Sequence, residues 1–207
     1  MLKKAKYSKI VFGSGIDFRK FKYSKKNFNN NHFVFIGRLI KEKGIDELLD
    51  VIPEIKNKYP NVKFKIIGEI DKKNPRKIDQ KKLFSLVKRG CVEYSSFKKN
   101  LKKDYQKATC LILPSYREGL SKTIMEGMTT GLPVITTNVP GCEDLVKKSG
   151  AGLLVKLKNR ISLKNQIENF INFSISKKKE MSINAHIFAK KNFNEKKIIE
   201  QYLNEFK

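Results

Sequence analysis

Two basic residues, Arg38 and Lys43, lie in the turn 37–44, directly after a short apolar run at 33–36. If that run is a strand of an open parallel sheet, the turn lies at the edge where ligands bind, and the next helix N-terminus favours anions. A diphosphate there would contact a forked guanidinium, an ammonium group and free backbone amides. Two solvated surface cations are the alternative, and the spacing alone supports both interpretations equally.

Two carboxylates, Glu118 and Glu126, follow another short apolar run. Pro114 and Gly119 bracket a loop, and the pattern predicts a helix that begins near Ser121, with Glu126 about one and a half turns inside it. Both side chains can then face one crevice, where carboxylates accept paired hydrogen bonds from the vicinal hydroxyls of a sugar or ribose. The alternative is that Glu118 interacts only with the helix dipole and that Glu126 is solvated.

These charged residues need elements that position them, and the apolar pattern predicts alternating strands and helices. The apolar residues of 45–55 have the spacing of one helix face, and this helix ends before the breaker at 59–61. Parallel strands need crossover connections, so six strands separated by helices predict an α/β fold with one doubly wound, Rossmann-like parallel sheet. The predicted strands are 33–36, 62–67, 91–94, 109–113, 134–137 and 152–155.

The two ends of the chain differ from this core, which we place at residues 33–160. Residues 24–32 are polar and predict a flexible connection. Residues 161–207 contain no convincing strand and predict two or three helices with apolar faces.

The charge of the chain is strongly positive. Its 207 residues include 45 Lys and Arg against 20 Asp and Glu, which gives a formal net charge of +25. Such a charge attracts nucleic acid, anionic membranes or phosphorylated ligands. Only six of the basic residues are arginine, which forks onto phosphates and reads bases, so a lysine-rich coding bias explains the excess better than a nucleic-acid partner does. The positive field still favours peripheral contact with an anionic membrane.

Composition also limits the cellular location. Hydrophobic residues make up 40% of the chain, which excludes global disorder. No apolar run approaches the roughly 20 residues of a membrane-spanning helix, and the first residues lead into no apolar signal segment. Three cysteines without CxxC spacing favour free thiols over disulfides or a zinc site. We therefore expect a cytoplasmic protein that contacts the inner face of the membrane peripherally.

Glu118 and Glu126 enclose seven residues, and this E-x7-E spacing resembles the motif of retaining glycosyltransferases of family 4, which have the two-domain GT-B fold. The segments 114–146 and 35–49 are also similar to that family. The segment 35–49 carries Arg38 and Lys43 at the positions of the family's two basic residues that bind the donor diphosphate. Residues 13–21 resemble the start of the C-terminal, donor-binding half, so we interpret 1–23 as an entry segment. The resemblance covers nearly the whole chain and is greatest to bacterial enzymes that extend lipid-linked oligosaccharides or surface polysaccharides.

The resemblance implies a nucleotide-sugar site with a UDP-sugar as substrate. Arg38 and Lys43 would neutralise the donor diphosphate and stabilise the leaving group, Glu118 would hold the sugar, and Glu126 would bind the ribose. Residues 68 and 92–94 fall where the family binds the base. No Asp-x-Asp motif occurs, so we expect no metal or other cofactor. The residues implied to bind the donor are Arg38, Lys43, Gly68, Val92, Glu93, Tyr94, Glu118, Gly119, Leu120, Ser121 and Glu126.

The main departure from the family is length. The chain begins where the family's second domain begins. We therefore expect this chain to lack the acceptor-binding N-terminal domain, which a missing segment or a second chain would supply. The whole enzyme would then transfer a hexose or N-acetylhexosamine to a bacterial surface glycan or lipid-linked oligosaccharide. This chain alone would bind UDP weakly and transfer no sugar. The alternatives are a basic module that binds nucleic acid or membrane without catalysis, and a GT-B relative such as a nucleotide-sugar epimerase.

Overall fold

Six short strands form one parallel sheet in the computed structural model, which describes residues 15–71 and 74–205. Residues 1–14 of the predicted entry segment and the last two residues of the chain lie outside the described residues. The strands are β1 (His32–Ile36), β2 (Lys63–Ile67), β3 (Glu93–Ser95), β4 (Cys110–Leu113), β5 (Val134–Thr137) and β6 (Gly152–Val155).

Helices connect the strands and continue after the last one. A short 3-10 helix, Lys41–Lys43, directly precedes the first α-helix. The α-helices are α1 (Ile45–Lys58), α2 (Gln80–Lys88), α3 (Lys102–Lys107), α4 (Lys122–Thr129), α5 (Glu143–Ser149), α6 (Arg160–Asn172), α7 (Ile175–Asn192) and α8 (Glu195–Glu205).

The strand order is β3-β2-β1-β4-β5-β6, and every neighbouring pair is parallel. The α/β doubly wound sheet predicted from the sequence is therefore confirmed, and each predicted strand overlaps an observed one. The direction of winding reverses between β1 and β4, so the loops after these two strands diverge and leave a crevice at their carboxyl ends. Ligands of open α/β sheets bind at such a switch point.

The helices that border this crevice follow from local sequence. In α1, the apolar residues Ile45, Leu49, Ile52 and Ile55 are fully buried in the hydrophobic core, as their spacing predicts. The helix α4 begins where expected, because the Ser121 hydroxyl accepts a hydrogen bond from the amide of Ile124 as an N-cap.

The segment 24–32, which the sequence predicts to be a flexible connection, has no helix and enters β1 only at its last residue. It nevertheless packs on the domain, because Phe28 is 4% exposed and Lys26 is 5% exposed. The Lys26 ammonium donates to the carbonyl oxygen of Tyr105 at 2.6 Å and to the Ser24 hydroxyl at 2.9 Å. Burial lowers the pKa of Lys26 to about 7.

Candidate functional site

A cavity of about 500 Å³ lies at the switch point of the sheet. It is lined by the loops that follow the carboxyl ends of β1, β2 and β3, by the first turns of α4 and by residues 20–21 of the segment before β1. Its principal lining residues are Lys20, Phe21, Ile36, Gly37, Arg38, Glu69, Phe97, Lys99, Leu101, Lys122, Thr123 and Glu126. The N-terminus of α4 therefore directs the positive end of its dipole toward this space, which favours an anionic ligand.

Glu126 and Tyr105 form what we call the inner wall of the cavity. Tyr105, on α3, is fully buried, and its hydroxyl donates a hydrogen bond to Oε2 of Glu126 at 2.9 Å. The ring of Phe21 packs edge-on against Tyr105, with 5.8 Å between ring centroids. Burial raises the pKa of Glu126, and the hydrogen bond from Tyr105 opposes that rise. The carboxyl group is thus held in one orientation by a partner that solvent does not reach.

We call Arg38, Lys43 and Glu118 the outer rim, although neither Lys43 nor Glu118 is among the principal lining residues of the cavity. Arg38 is exposed and lines the cavity. Lys43 and Glu118 pair with each other, with 2.5 Å between Nζ and Oε1, and their side chains are 21% and 12% exposed. The rim thus contains a guanidinium that faces solvent and an ion pair that is only partly solvated.

Two loops meet to make this ion pair. Gly44, with a φ of +67°, lies against Pro114, and a Cβ at position 44 would overlap the Pro114 carbonyl oxygen. The carbonyl oxygen of Glu42 accepts hydrogen bonds from the amide of Tyr116 at 2.7 Å and from the hydroxyl of Ser115 at 3.1 Å. The loop after β1 is therefore joined to the loop after β4, although 75 residues separate Lys43 from Glu118.

The two glutamates of the E-x7-E spacing face different surroundings, although the sequence predicts one crevice for both. Glu126 lines the cavity, whereas Glu118 lies in the loop before α4 and points to Lys43. The separation arises because the helix begins only after Ser121, so the backbone between the two carboxylates is partly loop and partly helix. Gly119 is exposed and Leu120 is half-buried in that loop.

The residues predicted for the base pocket are only partly at the cavity. Gly68 is buried, and a Cβ there would overlap the carbonyl oxygen of Gly37, which lines the cavity. Tyr94 donates a hydrogen bond from its hydroxyl to the Gly68 carbonyl at 3.2 Å. Both residues support the cavity from behind without being among its principal lining residues.

Val92 and Glu93 lie elsewhere. Val92 is 4% exposed and belongs to the core, and Glu93 is exposed and lies 3.8 Å from the Lys65 ammonium. The reason is that β3 begins at Glu93, so these residues are at its amino end, whereas the cavity lies beyond its carboxyl end. The side chains that this region contributes to the cavity are Phe97, Lys99 and Leu101.

Sequence reasoning missed Tyr105 and Phe97. Tyr105 meets Glu126 across 21 residues and between two helices, and no spacing rule connects them. Phe97 offered a signal, because it is a large aromatic residue in a polar stretch after a predicted strand, and it is 60% exposed in the structure. An exposed aromatic ring at the edge of a cavity can stack on a planar ligand.

The fold and the cavity together define a Rossmann-like α/β domain with a ligand site at its switch point. The family described as glycosyl transferases group 1 matches residues 17–188. The chain belongs to this family, which confirms the resemblance found in the sequence at the level of the family and its GT-B fold.

Curated relatives agree with this assignment. The chain is 30% identical over 183 residues to a capsular polysaccharide biosynthesis glycosyltransferase, CapM, of Staphylococcus aureus, covering 83% of this chain and 48% of CapM. It is 30% identical over 176 residues to a UDP-Gal:alpha-D-GlcNAc-diphosphoundecaprenol alpha-1,3-galactosyltransferase of Escherichia coli, covering 78% of this chain and 43% of that enzyme. The chain spans about half the length of these curated relatives.

Solved structures share the fold. A sucrose-phosphate synthase from Thermosynechococcus elongatus superposes with a TM-score of 0.79 at 21% identity, covering 93% of this chain and 50% of that one. HepE from Anabaena in complex with UDP-glucose gives a TM-score of 0.78 at 21% identity, covering 93% of this chain and 55% of HepE.

Within 15–71 and 74–205, no helix has the length and apolar character needed to cross a bilayer.

Proposed function

We propose that this chain is the donor-binding part of a retaining glycosyltransferase that uses a UDP-sugar. The whole enzyme would add a hexose or N-acetylhexosamine to a bacterial surface glycan or lipid-linked oligosaccharide, in the cytoplasm and at the inner face of the membrane. The acceptor site would be supplied by a further domain or a second chain. The names of the relatives support this proposal, since one uses UDP-galactose and another makes capsular polysaccharide.

The observation that carries the proposal is the pairing of opposite chemistries across one cavity. Arg38 offers a guanidinium from the loop after β1, and Glu126 offers a fixed carboxyl group from α4. A nucleoside diphosphate carries groups that complement both residues. Its charged phosphates would bind the guanidinium, and its ribose hydroxyls would donate hydrogen bonds to the carboxyl group. The base would then extend toward the loop after β3, where Phe97 is exposed.

The rim would handle the phosphates and the sugar. Arg38 and Lys43 would neutralise the diphosphate as charge develops on the leaving group, so that no metal ion is required. Glu118 would accept hydrogen bonds from the sugar hydroxyls, together with amides of Gly119, Leu120 and Ser121. Lys43 and Glu118 form an ion pair with each other, so a donor that binds both residues must separate them. Lys43 would then contact the diphosphate and Glu118 the sugar in place of this ion pair.

The test is calorimetry of three variants against pyrophosphate, UDP and UDP-galactose. We expect Arg38→Ala to weaken all three ligands by about 1.5–3 kcal/mol, since its hydrogen bonds are charge-assisted. Glu118→Gln should weaken only UDP-galactose. Glu126→Ala should weaken UDP and UDP-galactose and spare pyrophosphate, because its partner is the ribose.

The matched control is Arg89→Ala, which removes an exposed guanidinium at the end of α2. It should change every affinity by less than about 0.5 kcal/mol. Equal loss of UDP and UDP-galactose in Glu118→Gln would refute the sugar contact. Tight, salt-sensitive binding of duplex DNA or anionic vesicles without any UDP binding would favour the basic-module alternative instead.

A further inference from the structure

A second groove lies beside the cavity, and of the described lining residues the two have only Arg38 in common. Its volume is about 470 Å³, and it is bordered by the loops that follow β1, β2 and β4. It opens on the side of the rim that holds Lys43, away from Glu126. Its lining residues are Arg38, Ile40, Glu42, Lys43, Asn74, Pro75, Arg76 and Arg117.

The groove is enriched in arginine. Of the four basic residues that line it in the described part of the chain, three are arginines, Arg38, Arg76 and Arg117. The whole chain has only six arginines among its 45 basic residues, so half of them line this one groove. The general lysine bias of the sequence does not produce such a cluster. Arginine differs from lysine in presenting a planar fork that binds carboxylates and phosphates through two hydrogen bonds.

The cations of the groove exceed its anions. Glu42, the one carboxylate among its described lining residues, forms an ion pair with Arg76, and Lys43 pairs with Glu118. Among residues 15–71 and 74–205, the guanidinium groups of Arg38 and Arg117 have no hydrogen bond or ion pair. Arg76 and Arg38 together lower the pKa of Glu42, so that carboxylate is charged and still leaves the positive charge uncompensated.

We propose that this groove is a second anion subsite, which binds a carboxylate or phosphate group of a substrate next to the donor diphosphate. The proposal rests on the proposed function only for the identity of that diphosphate. Arg117 and Arg76 would fork onto the bound oxyanion, and Arg38 would lie between the two anions. The anion has two sources of the same chemistry: the carboxylate of a uronic-acid donor, or a phosphate of the acceptor.

The experiment uses calorimetry of the chain at 0.15 M salt, about the physiological value, with two probes. The donor arm compares UDP-glucuronate with UDP-glucose. The acceptor arm titrates pyrophosphate into the chain saturated with UDP. We expect at least one arm to show the subsite, either as a tenfold preference for UDP-glucuronate or as pyrophosphate bound beside UDP.

Variants then assign the binding to the groove. Arg117→Ala and Arg76→Ala should each weaken that extra binding by about tenfold or more, whereas UDP affinity should change less than about threefold. Both side chains are exposed, so the variants should fold, and Arg89→Ala is again the matched control. Lysine substitutions at 76 and 117 should restore the binding only partly, because an ammonium group lacks the fork.

Three results would overturn the subsite. UDP-glucuronate and UDP-glucose could bind equally while no pyrophosphate binds beside UDP. The extra binding could be insensitive to both arginines. Either variant could also weaken UDP as much as the extra anion, which would place these arginines at the diphosphate itself. If UDP does not bind at all, the proposed function fails, and pyrophosphate binding to the free chain decides the subsite through the same two variants.

Discussion

The inner wall and the outer rim of the candidate site present their charged groups in opposite ways. At the inner wall, Glu126 is oriented by Tyr105, a fully buried residue that packs against Phe21. At the rim, Lys43 and Glu118 orient each other and remain partly exposed. Groups at the wall are therefore placed by the same packing that folds the domain, whereas Lys43 and Glu118 at the rim are placed by a contact with each other that a bound donor would replace. Mutations at the wall should therefore affect stability as well as affinity, whereas mutations at the rim should affect mainly affinity.

The largest expected effect separates the two regions by stability. Tyr105→Ala should lower the free energy of unfolding by about 3–5 kcal/mol, because it truncates a buried aromatic side chain and leaves a cavity. Arg38→Ala should change it by less than about 0.5 kcal/mol, because that side chain is exposed. Urea unfolding measures both. Similar values for the two variants would remove the distinction between wall and rim.

A second effect concerns the support behind the wall, where Lys26 contacts the Tyr105 carbonyl. Burial lowers the pKa of Lys26 from 10.5 to about 7, so between these values the folded chain binds fewer protons than the unfolded chain. Stability should therefore rise with pH in this window, by about 2 kcal/mol between pH 7 and pH 9. Chemical unfolding at several pH values measures the rise.

Lys26→Met should abolish most of that rise, because methionine has no proton to lose. Lys25→Met is the matched control, since Lys25 is the exposed neighbour and should leave the rise intact. A wild-type stability that stays flat or falls between pH 7 and pH 9 would mean that Lys26 remains charged in the folded protein.

The smallest expected effect tests whether the wall orients a ligand group as well as supporting the fold. Tyr105→Phe removes only the hydroxyl that donates to Glu126, so UDP should weaken by about 0.5–1.5 kcal/mol and pyrophosphate should not change. Loss of this donor should also raise the pKa of Glu126 further, which shifts the acid limb of UDP binding to higher pH. Tyr116→Phe, at a tyrosine paired with Glu47 outside the cavity, is the control. A loss shared by pyrophosphate would make Tyr105 purely structural.

The sequence predicted the sheet well, because buried parallel strands are short apolar runs and the helices between them have clear apolar faces. The largest difference in position is at β3, which the sequence predicts at 91–94 and which the structure has at Glu93–Ser95. A shift of one or two residues is small for a strand boundary. The family resemblance assigns Val92 and Glu93 to the base pocket, and the structure places them at the amino end of this strand, whereas Phe97 lines the cavity beyond its carboxyl end.

The site was predictable only as far as its local motifs reached. Arg38 and Glu126 were found because each follows a strand within one loop or helix. The partners Tyr105 of Glu126 and Glu118 of Lys43 were not assigned, because those contacts join elements that are distant in sequence and meet only after the sheet has formed. The arginine groove was missed for the same reason, since its three arginines come from three separate loops.

The close packing of Gly44 against Pro114 also has a consequence for motion. The loop that carries Lys43 and the loop that carries Glu118 are in backbone contact there and share hydrogen bonds through the Glu42 carbonyl. Neither loop can shift by itself without breaking this contact. If the domain closes over a donor, the loop with Lys43 and the loop with Glu118 must move together as one rigid body. The hinge for that movement must then lie outside both loops.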